Sequence, residues 1–141
     1  MAIIFDSENV ELPQIDEKKT SNWITTIATK YNRSIGDISY LFCDDEQILE
    51  ANKQYLQHDY YTDIITFDYS EGDTISGDIL ISVDTVKSNA EEFNTIFIEE
   101  LHRVIIHGIL HLCGIDDLSE EDESKMRMAE DDALKLLMQL G

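Results

Sequence analysis

The 141-residue sequence is poor in the residues that mark several common classes of protein. It has two cysteines, Cys43 and Cys113, one proline and six glycines. Two cysteines outside any CxxC spacing do not make a disulfide framework, and both are most simply interpreted as small buried apolar residues. Without a Pro/Gly/Ser linker, a repeat or a low-complexity segment, the chain is predicted to form a single domain over residues 1–141.

Long apolar runs and an N-terminal signal are also missing. No uninterrupted apolar stretch approaches the roughly 18 residues of a membrane span, and the residues after Met1 turn acidic too early for a signal peptide. We therefore expect a cytoplasmic protein with no membrane partner. The apolar content of 43% is nevertheless sufficient for a hydrophobic core without disulfide support.

Basic residues are scarce: 10 lysines and arginines face 30 acidic residues, a formal net charge of -20. The acidity is not confined to a tail, because residues 1–70 carry 13 acidic and 5 basic groups and residues 71–141 carry 17 and 5. Such a chain repels bulk polyanion, which excludes a sequence-independent nucleic-acid coat protein. It does not exclude an enzyme that meets RNA at one local patch.

Hydrophobic patterning predicts strands and helices that do not strictly alternate, which favours an α+β fold over a doubly wound sheet. Gly114 is expected to end the helix before it by the C′ glycine rule, and Ser119 with Asp122 resembles a capping box. The predicted strands are Ala2–Phe5, Ser39–Cys43, Thr62–Tyr69 and Asp78–Ser82, and the predicted helices are Asp16–Tyr31, Asp44 to about Leu56, Asp84–Phe93, Thr95–Cys113 and Ser119 to about Leu140.

Two of the four histidines, His107 and His111, are spaced i, i+4 inside the predicted helix Thr95–Cys113. This spacing puts both imidazoles on one helix face with Cβ atoms roughly 5–6 Å apart. Two imidazoles at that separation can share one metal ion at about 2.0–2.1 Å from each nitrogen. The spacing alone is equally compatible with two half-buried histidines that are hydrogen-bonded to carbonyl groups.

The residues after His111 favour the metal site. The spacing His-x3-His-x2-Gly-x2-Asp ends on Asp117, and Gly114 lets the chain leave the helix sharply so that Asp117 returns to the same ion. This is the spacing of the extended HExxHxxGxxH zinc motif with aspartate in third place. Three protein ligands, His107, His111 and Asp117, leave a fourth position open for water, as in catalytic zinc sites.

Gly108 separates this motif from that of the metallopeptidases. In HExxH enzymes the glutamate after the first histidine is the general base, and a glycine cannot supply one. A peptidase or related hydrolase therefore remains only the alternative interpretation.

The sequence HGILHLCGIDD at 107–117 resembles the motif H-G-x-L-H-L-x-G-x-D-H of the YbeY family of bacterial metallo-endoribonucleases, and ten of the eleven positions fit. The family pattern Y-R-x-x-D-x-x-T-D-V-L-S-F is similar to YLQHDYYTDIITF at 55–67, and the family's G-D-I strand is similar to GDILIS at 77–82. The resemblance runs from about Asn52 to Glu130, and the first 45 residues carry no signature.

The resemblance implies a four-stranded sheet with helices packed around it, and one Zn²⁺ per chain. It also implies a single-strand-specific endoribonuclease that acts in 16S ribosomal RNA 3′-end maturation and ribosome quality control. The expected partners are ribosomal RNA in the small ribosomal subunit and a ribosomal protein or assembly GTPase. The family's three motif histidines correspond to His107, His111 and the position of Asp117.

Two positions depart from the family pattern. Asp117 lowers the formal charge of a zinc site from +2 to +1, which acidifies bound water less and favours a harder metal. Leu56 replaces an arginine whose forked donors suit phosphate oxygens. Arg103 is a candidate catalytic substitute for that arginine, as are Lys53 and His58, although ordinary surface charge is the favoured interpretation of all three.

Other residues near the motif have two interpretations each. Asp116, the other weak catalytic candidate, is either a hydrogen-bond acceptor for a ligating imidazole or a turn cap. Thr62 and Asp63 either line a groove or cap a turn, and Asp78 is expected at a strand end. His102 lies off the ligand face by helical period. Met126 is expected in the core and Met128 partly exposed, so neither suggests a methionine turn.

Three functions follow from these features. The first is the endoribonuclease, the second is a zinc metallopeptidase-like hydrolase, and the third is a non-catalytic ribosome assembly factor in which the metal is structural. The charge of -20 predicts weak binding to free RNA, because phosphate neutralisation drives such binding. A partner would then have to place the substrate.

Overall fold

A computed structural model describes residues 2–56, 63–115 and 119–140. Strands and helices follow one another without strict alternation, which confirms the predicted α+β class. The elements are β1 (Ala2–Ser7), α1 (Glu17–Lys30), β2 (Ser34–Cys43), α2 (Asp45–Ala51) with a π-helical turn (Asn52–Leu56), β3 (Ile64–Asp68), β4 (Thr74–Ser82), α3 (Val83–Glu92), α4 (Phe97–Leu112) and α5 (Glu120–Leu140).

The four described strands form one mixed sheet in the order β1-β2-β4-β3. β1 and β4 both pair with β2 in parallel, whereas β3 pairs with β4 as an antiparallel hairpin. The expectation of a four-stranded sheet with packed helices is therefore confirmed. Parallel pairing requires crossover connections, and α1 supplies the one between β1 and β2.

Two strands begin earlier than the patterning predicts. β2 and β4 pair from Ser34 with Thr74 onward, with a register shift between Ile35 and Ile38. The extension places Asp78 inside β4, exposed and opposite Phe67, so its expected position at a strand end is wrong. Both strands begin with polar residues and glycine, which have weak strand propensity, so local patterning does not predict these ends. The ends form because the two segments pair with each other across about 40 residues of sequence.

The predicted helix ends are formed by side-chain caps. Asp16 accepts a hydrogen bond from the backbone N–H of Lys19 at 3.0 Å, and Ser119 accepts one from that of Asp122 at 3.1 Å. Gly114 has a φ of 100°, a region that side chains disfavour, so the chain turns away after α4 as expected.

Helix α4 is the centre of the larger hydrophobic core. It contacts β3 and β4 on one side and α1, α3 and α5 on the others. Its apolar face is fully buried, including Leu101, Ile105, Ile106 and Ile109. A smaller cluster covers the other face of the sheet, where Ile48 of α2 packs with Ile65 of β3.

Two long-range hydrogen bonds connect the helices to one another and to the sheet. The Trp23 indole of α1 donates to the carbonyl oxygen of Ala133 in α5 at 2.8 Å, and the Tyr40 hydroxyl of β2 donates to that of Ile105 in α4 at 2.8 Å. Both side chains are buried, and burial raises the pKa of Tyr40 well above its ordinary value. The second bond connects α4 directly to β2 of the sheet.

The Tyr40 bond gives a direct test of this packing. The substitution Tyr40→Phe removes the hydroxyl alone, so we expect the free energy of unfolding to fall by about 1 kcal/mol in urea titrations. Tyr69→Phe is the matched control, because Tyr69 is 59% exposed and the same change there should cost less than about 0.5 kcal/mol. Equal effects of the two substitutions would contradict the assignment.

Candidate metal centre

His107 and His111 lie one turn apart on α4, and both are partly exposed. The residues between and around them, including Ile106 and Leu110, point into the core. The hydrophobic face of α4 therefore packs inward, and both imidazoles are left on the other side of the helix. This placement agrees with the predicted shared face.

A carboxylate from α5 contacts the first of these histidines. The Nδ1 atom of His107 lies 2.7 Å from Oε2 of Glu130, which is itself only 5% exposed. An imidazole that donates from Nδ1 keeps Nε2 available to a metal. The residue pattern did not single out Glu130. The available signal was an acid on the apolar face of α5, which Met126, Ala129 and Ala133 share.

Arg103 was expected to be an ordinary exposed cation, but in the structure it is largely buried and paired. Its Nη1 donates to Oε1 of Glu130 at 2.8 Å, its Nη2 donates to Oδ1 of Asp131 at 2.6 Å, and its side chain is 18% exposed. The favoured interpretation of this residue is wrong because the two α5 carboxylates draw the guanidinium between the helices. Acting as a phosphate clamp would require these ion pairs to open.

A cavity of about 450 Å³ opens beside His107. Its lining includes the carboxylates of Asp63, Glu100, Glu123 and Glu130, with Arg103 and Arg127 as the positive charges. Asp63 therefore lines a groove, one of its two predicted roles. Burial raises the pKa of Asp63, and the nearby His107 opposes that rise. The cavity is acidic on balance, so its walls disfavour a phosphate group.

Several predicted site residues lie outside the described residues: the third ligand Asp117, its neighbour Asp116, and also His58 and Thr62. Over residues 2–56, 63–115 and 119–140, no three His, Cys, Asp or Glu side chains are placed to hold a metal ion together. The complete set of His107, His111 and Asp117 thus stays a prediction.

The described part of the site fits a zinc ion. Two imidazoles share a helix face, one of them has its Nδ1 occupied by a carboxylate, and the backbone turns at Gly114 just before residues 116–118. Imidazole nitrogen and carboxylate oxygen are both ordinary zinc ligands. A histidine oriented by a carboxylate is also the common arrangement around metal ligands.

Gly108 lies against the sheet. A Cβ atom there would come within 3.0 Å of Cδ1 of Ile79 and 3.2 Å of Cδ1 of Ile64, both closer than ordinary contacts. The position that holds the general base in HExxH helices therefore points into the core of this protein. A glutamate at 108 would be buried away from any substrate, which disfavours the peptidase interpretation.

The other side chains considered in the sequence are explained by packing or by simple exposure. The His102 ring packs edge-on against Trp23 with centroids 5.8 Å apart, and burial lowers its pKa. Met126 is buried and Met128 is exposed, as expected. Cys43 and Cys113 are buried free thiols, and burial raises their pKa values to about 12 and about 11. The thiols are therefore inert at neutral pH.

The chain is similar to proteins of one named family along nearly its whole length. A family model described as endoribonuclease YbeY matches residues 3–138. A protein named endoribonuclease YbeY from Bacteroides fragilis is 55% identical over 139 residues, which cover 99% of this chain and 100% of the relative. Another of that name from Parabacteroides distasonis is 58% identical over 137 residues, which cover 97% and 96%.

A solved structure shows the same fold. The solution structure of a Thermotoga maritima protein superposes with a TM-score of 0.68 at 27% sequence identity. The superposition covers 96% of this chain and 89% of that one. Within the described residues, no helix is both long enough and apolar enough to cross a membrane.

The packing at Gly108 can be tested by substitution. We expect Gly108→Glu to lower the free energy of unfolding by at least about 3 kcal/mol, because a carboxylate would be forced among isoleucines. Gly108→Ala is the milder control, since overpacking of about 1–3 kcal/mol is partly offset by the helix propensity of alanine. A stable Gly108→Glu protein that hydrolyses casein would contradict both the packing and the exclusion of a peptidase.

Proposed function

The chain belongs to the endoribonuclease YbeY family, and from this premise we propose that it is a metal-dependent hydrolase that cuts single-stranded RNA. Its proposed substrate is the 3′ precursor of 16S ribosomal RNA on the small ribosomal subunit, in rRNA maturation and ribosome quality control. The observation that carries the proposal is the pair of imidazoles on α4, one of them already held by a buried carboxylate.

His107, His111 and Asp117 would hold one Zn²⁺ per chain. When bound, the ion would polarise a phosphodiester oxygen or supply activated water. The two histidines are held on a rigid support, because the apolar residues of α4 pack against the sheet and three helices, and Glu130 orients the first imidazole. Asp117 contributes a negative charge, so bound water would be less acidic than at a site of three histidines.

The electrostatics support recognition through a partner. The net charge of -20 and the carboxylates around the cavity both oppose a polyanion. Single-stranded RNA has an unstacked, deformable backbone that a small groove can bring to one metal ion. We therefore infer that a ribosomal protein or an assembly GTPase delivers the precursor, and that the protein works in the cytoplasm.

The same electrostatics favour one other function, a non-catalytic ribosome assembly factor whose metal is structural. In this alternative the candidate phosphate-binding arginine, Arg103, stays paired with Glu130 and Asp131. The metal would then only hold α4 and the chain after it in place. This alternative and the nuclease differ in whether the protein cuts the 3′ precursor on assembled subunits.

The nuclease activity is tested by replacing one of the proposed metal ligands. The control replaces a histidine of the same helix that is not a proposed ligand. We expect His111→Ala to lower cleavage of the 3′ precursor on assembled subunits by at least about 100-fold, since even residues behind metal ligands change activity 10–100-fold. His102→Ala should retain most of the activity, because His102 packs on Trp23. An intact precursor after incubation with pure, zinc-loaded wild-type protein would favour the assembly factor.

The third ligand is tested by metal content. Elemental mass spectrometry should find about one zinc per wild-type chain and little in Asp117→Ala. Zinc retained by this variant would exclude Asp117 as a ligand.

The turn at Gly114 has its own matched pair of substitutions. Gly114 and Gly72 both have positive φ and open space for a Cβ atom, so alanine at either should cost about 1–2 kcal/mol of stability. Only Gly114→Ala should also weaken zinc binding, because Gly72 lies in the β3–β4 hairpin. Equal zinc affinity in the two variants would show that the Gly114 turn does not position a ligand.

A further inference from the structure

Glu130 is a buried carboxylate on the side of α5 that packs against α4. Its side chain is 7% exposed, and each of its two oxygens has its own partner. Oε1 accepts from Arg103 at 2.8 Å, and Oε2 lies 2.7 Å from Nδ1 of His107. A buried carboxylate is costly unless it is paired and hydrogen-bonded, and here both conditions are met.

The ion pair with Arg103 accounts for only half of this arrangement. Arg103 would balance the charge of Glu130 by itself, and it also contacts Asp131 on the exposed side of α5. The second carboxylate oxygen is nevertheless directed at a histidine rather than at solvent. Arg103 and His107 are one turn apart on α4, so a single glutamate reaches both of them.

We propose that Glu130 is a positioning residue that keeps His107 in the tautomer with its proton on Nδ1, and that Arg103 holds the Glu130 carboxylate in place. A carboxylate can only accept a hydrogen bond, so Nδ1 must be the donor. In the neutral form of the ring, Nε2 of His107 is then unprotonated before any metal arrives. The inference rests on the proposed function only in naming Nε2 as the atom that binds zinc.

The arrangement also connects zinc binding to the packing of α5. His107 is on α4 and Glu130 is on α5, 23 residues further along the chain. A metal ion that fixes His107 strengthens the hydrogen bond it donates, and so favours the docked position of α5. Removal of a partner of this kind lowers metal affinity by about 10–100-fold in other proteins.

The first test needs neither a variant nor a metal. Long-range ¹H–¹⁵N correlation spectra of metal-free wild-type protein at about pH 9, above the ordinary histidine pKa of roughly 6.5, distinguish the two neutral tautomers. We expect His107 to show a protonated Nδ1 and a bare Nε2. A protonated Nε2, or a mixture of both tautomers, would overturn the inference.

The second test compares two charge-matched substitutions on α5. Glu130→Gln and Glu123→Gln each remove one negative charge from the lining of the same cavity, and Glu130 is the one whose carboxylate lies 2.7 Å from Nδ1 of His107. Competition with a chelator should show zinc affinity lowered about 10–100-fold by Glu130→Gln and within about threefold of wild type for Glu123→Gln. Equal affinities in the two variants would overturn the positioning role.

The spectra also separate positioning from simple structural support. Folded Glu130→Gln protein should lose the single His107 tautomer, because an amide can donate to Nδ1 as well as accept from it. Retention of that tautomer in the variant would overturn the inference. If Glu130→Gln does not fold, the wild-type spectrum alone decides. If wild-type protein binds no zinc, the proposed function fails, whereas the tautomer still decides the role of Glu130.

Discussion

The close contact of α4 with the sheet at Gly108 is the constraint on which the site depends. With no side chain at 108, the helix backbone approaches Ile64 and Ile79 directly, where even a Cβ atom would be crowded. That contact commits one face of α4 to the core. His107 and His111 are consequently left partly exposed, with His107 facing α5. Position 108, which holds the general base in HExxH peptidases, has no room for a glutamate side chain.

Charge organises the rest of the site. The protein carries a net charge of -20, and the two arginines that line the cavity beside His107 face four carboxylates. Asp131, Arg103, Glu130 and His107 form a chain of alternating partners that joins α4 to α5. Buried pairs of this kind add little net stability by themselves, although removal of one partner alone is costly because it leaves an unpaired buried charge. A protein with this excess of acidic groups repels a free polyanion.

Much of the fold follows from local patterns. Asp16 and Ser119 cap helices where their spacing indicates, and Gly114 turns the chain with the positive φ expected of a C′ glycine. The strands were harder to delimit: β2 and β4 begin at Ser34 and Thr74, among polar residues with weak strand propensity. These ends exist because the two strands pair with each other, a contact between residues about 40 positions apart.

For the site, the sequence by itself determined the local geometry. The i, i+4 spacing of His107 and His111 sets their common helix face, and the distance from Gly114 to Asp117 is what predicts a third ligand. The surroundings were decided by tertiary structure alone. The sequence predicts Arg103 as an ordinary surface cation, whereas in the fold it is partly buried and bridges α4 and α5. Glu130 reaches His107 only because α5 packs across α4. Helical spacing is set by backbone hydrogen bonds within one turn, whereas these contacts depend on how two helices dock.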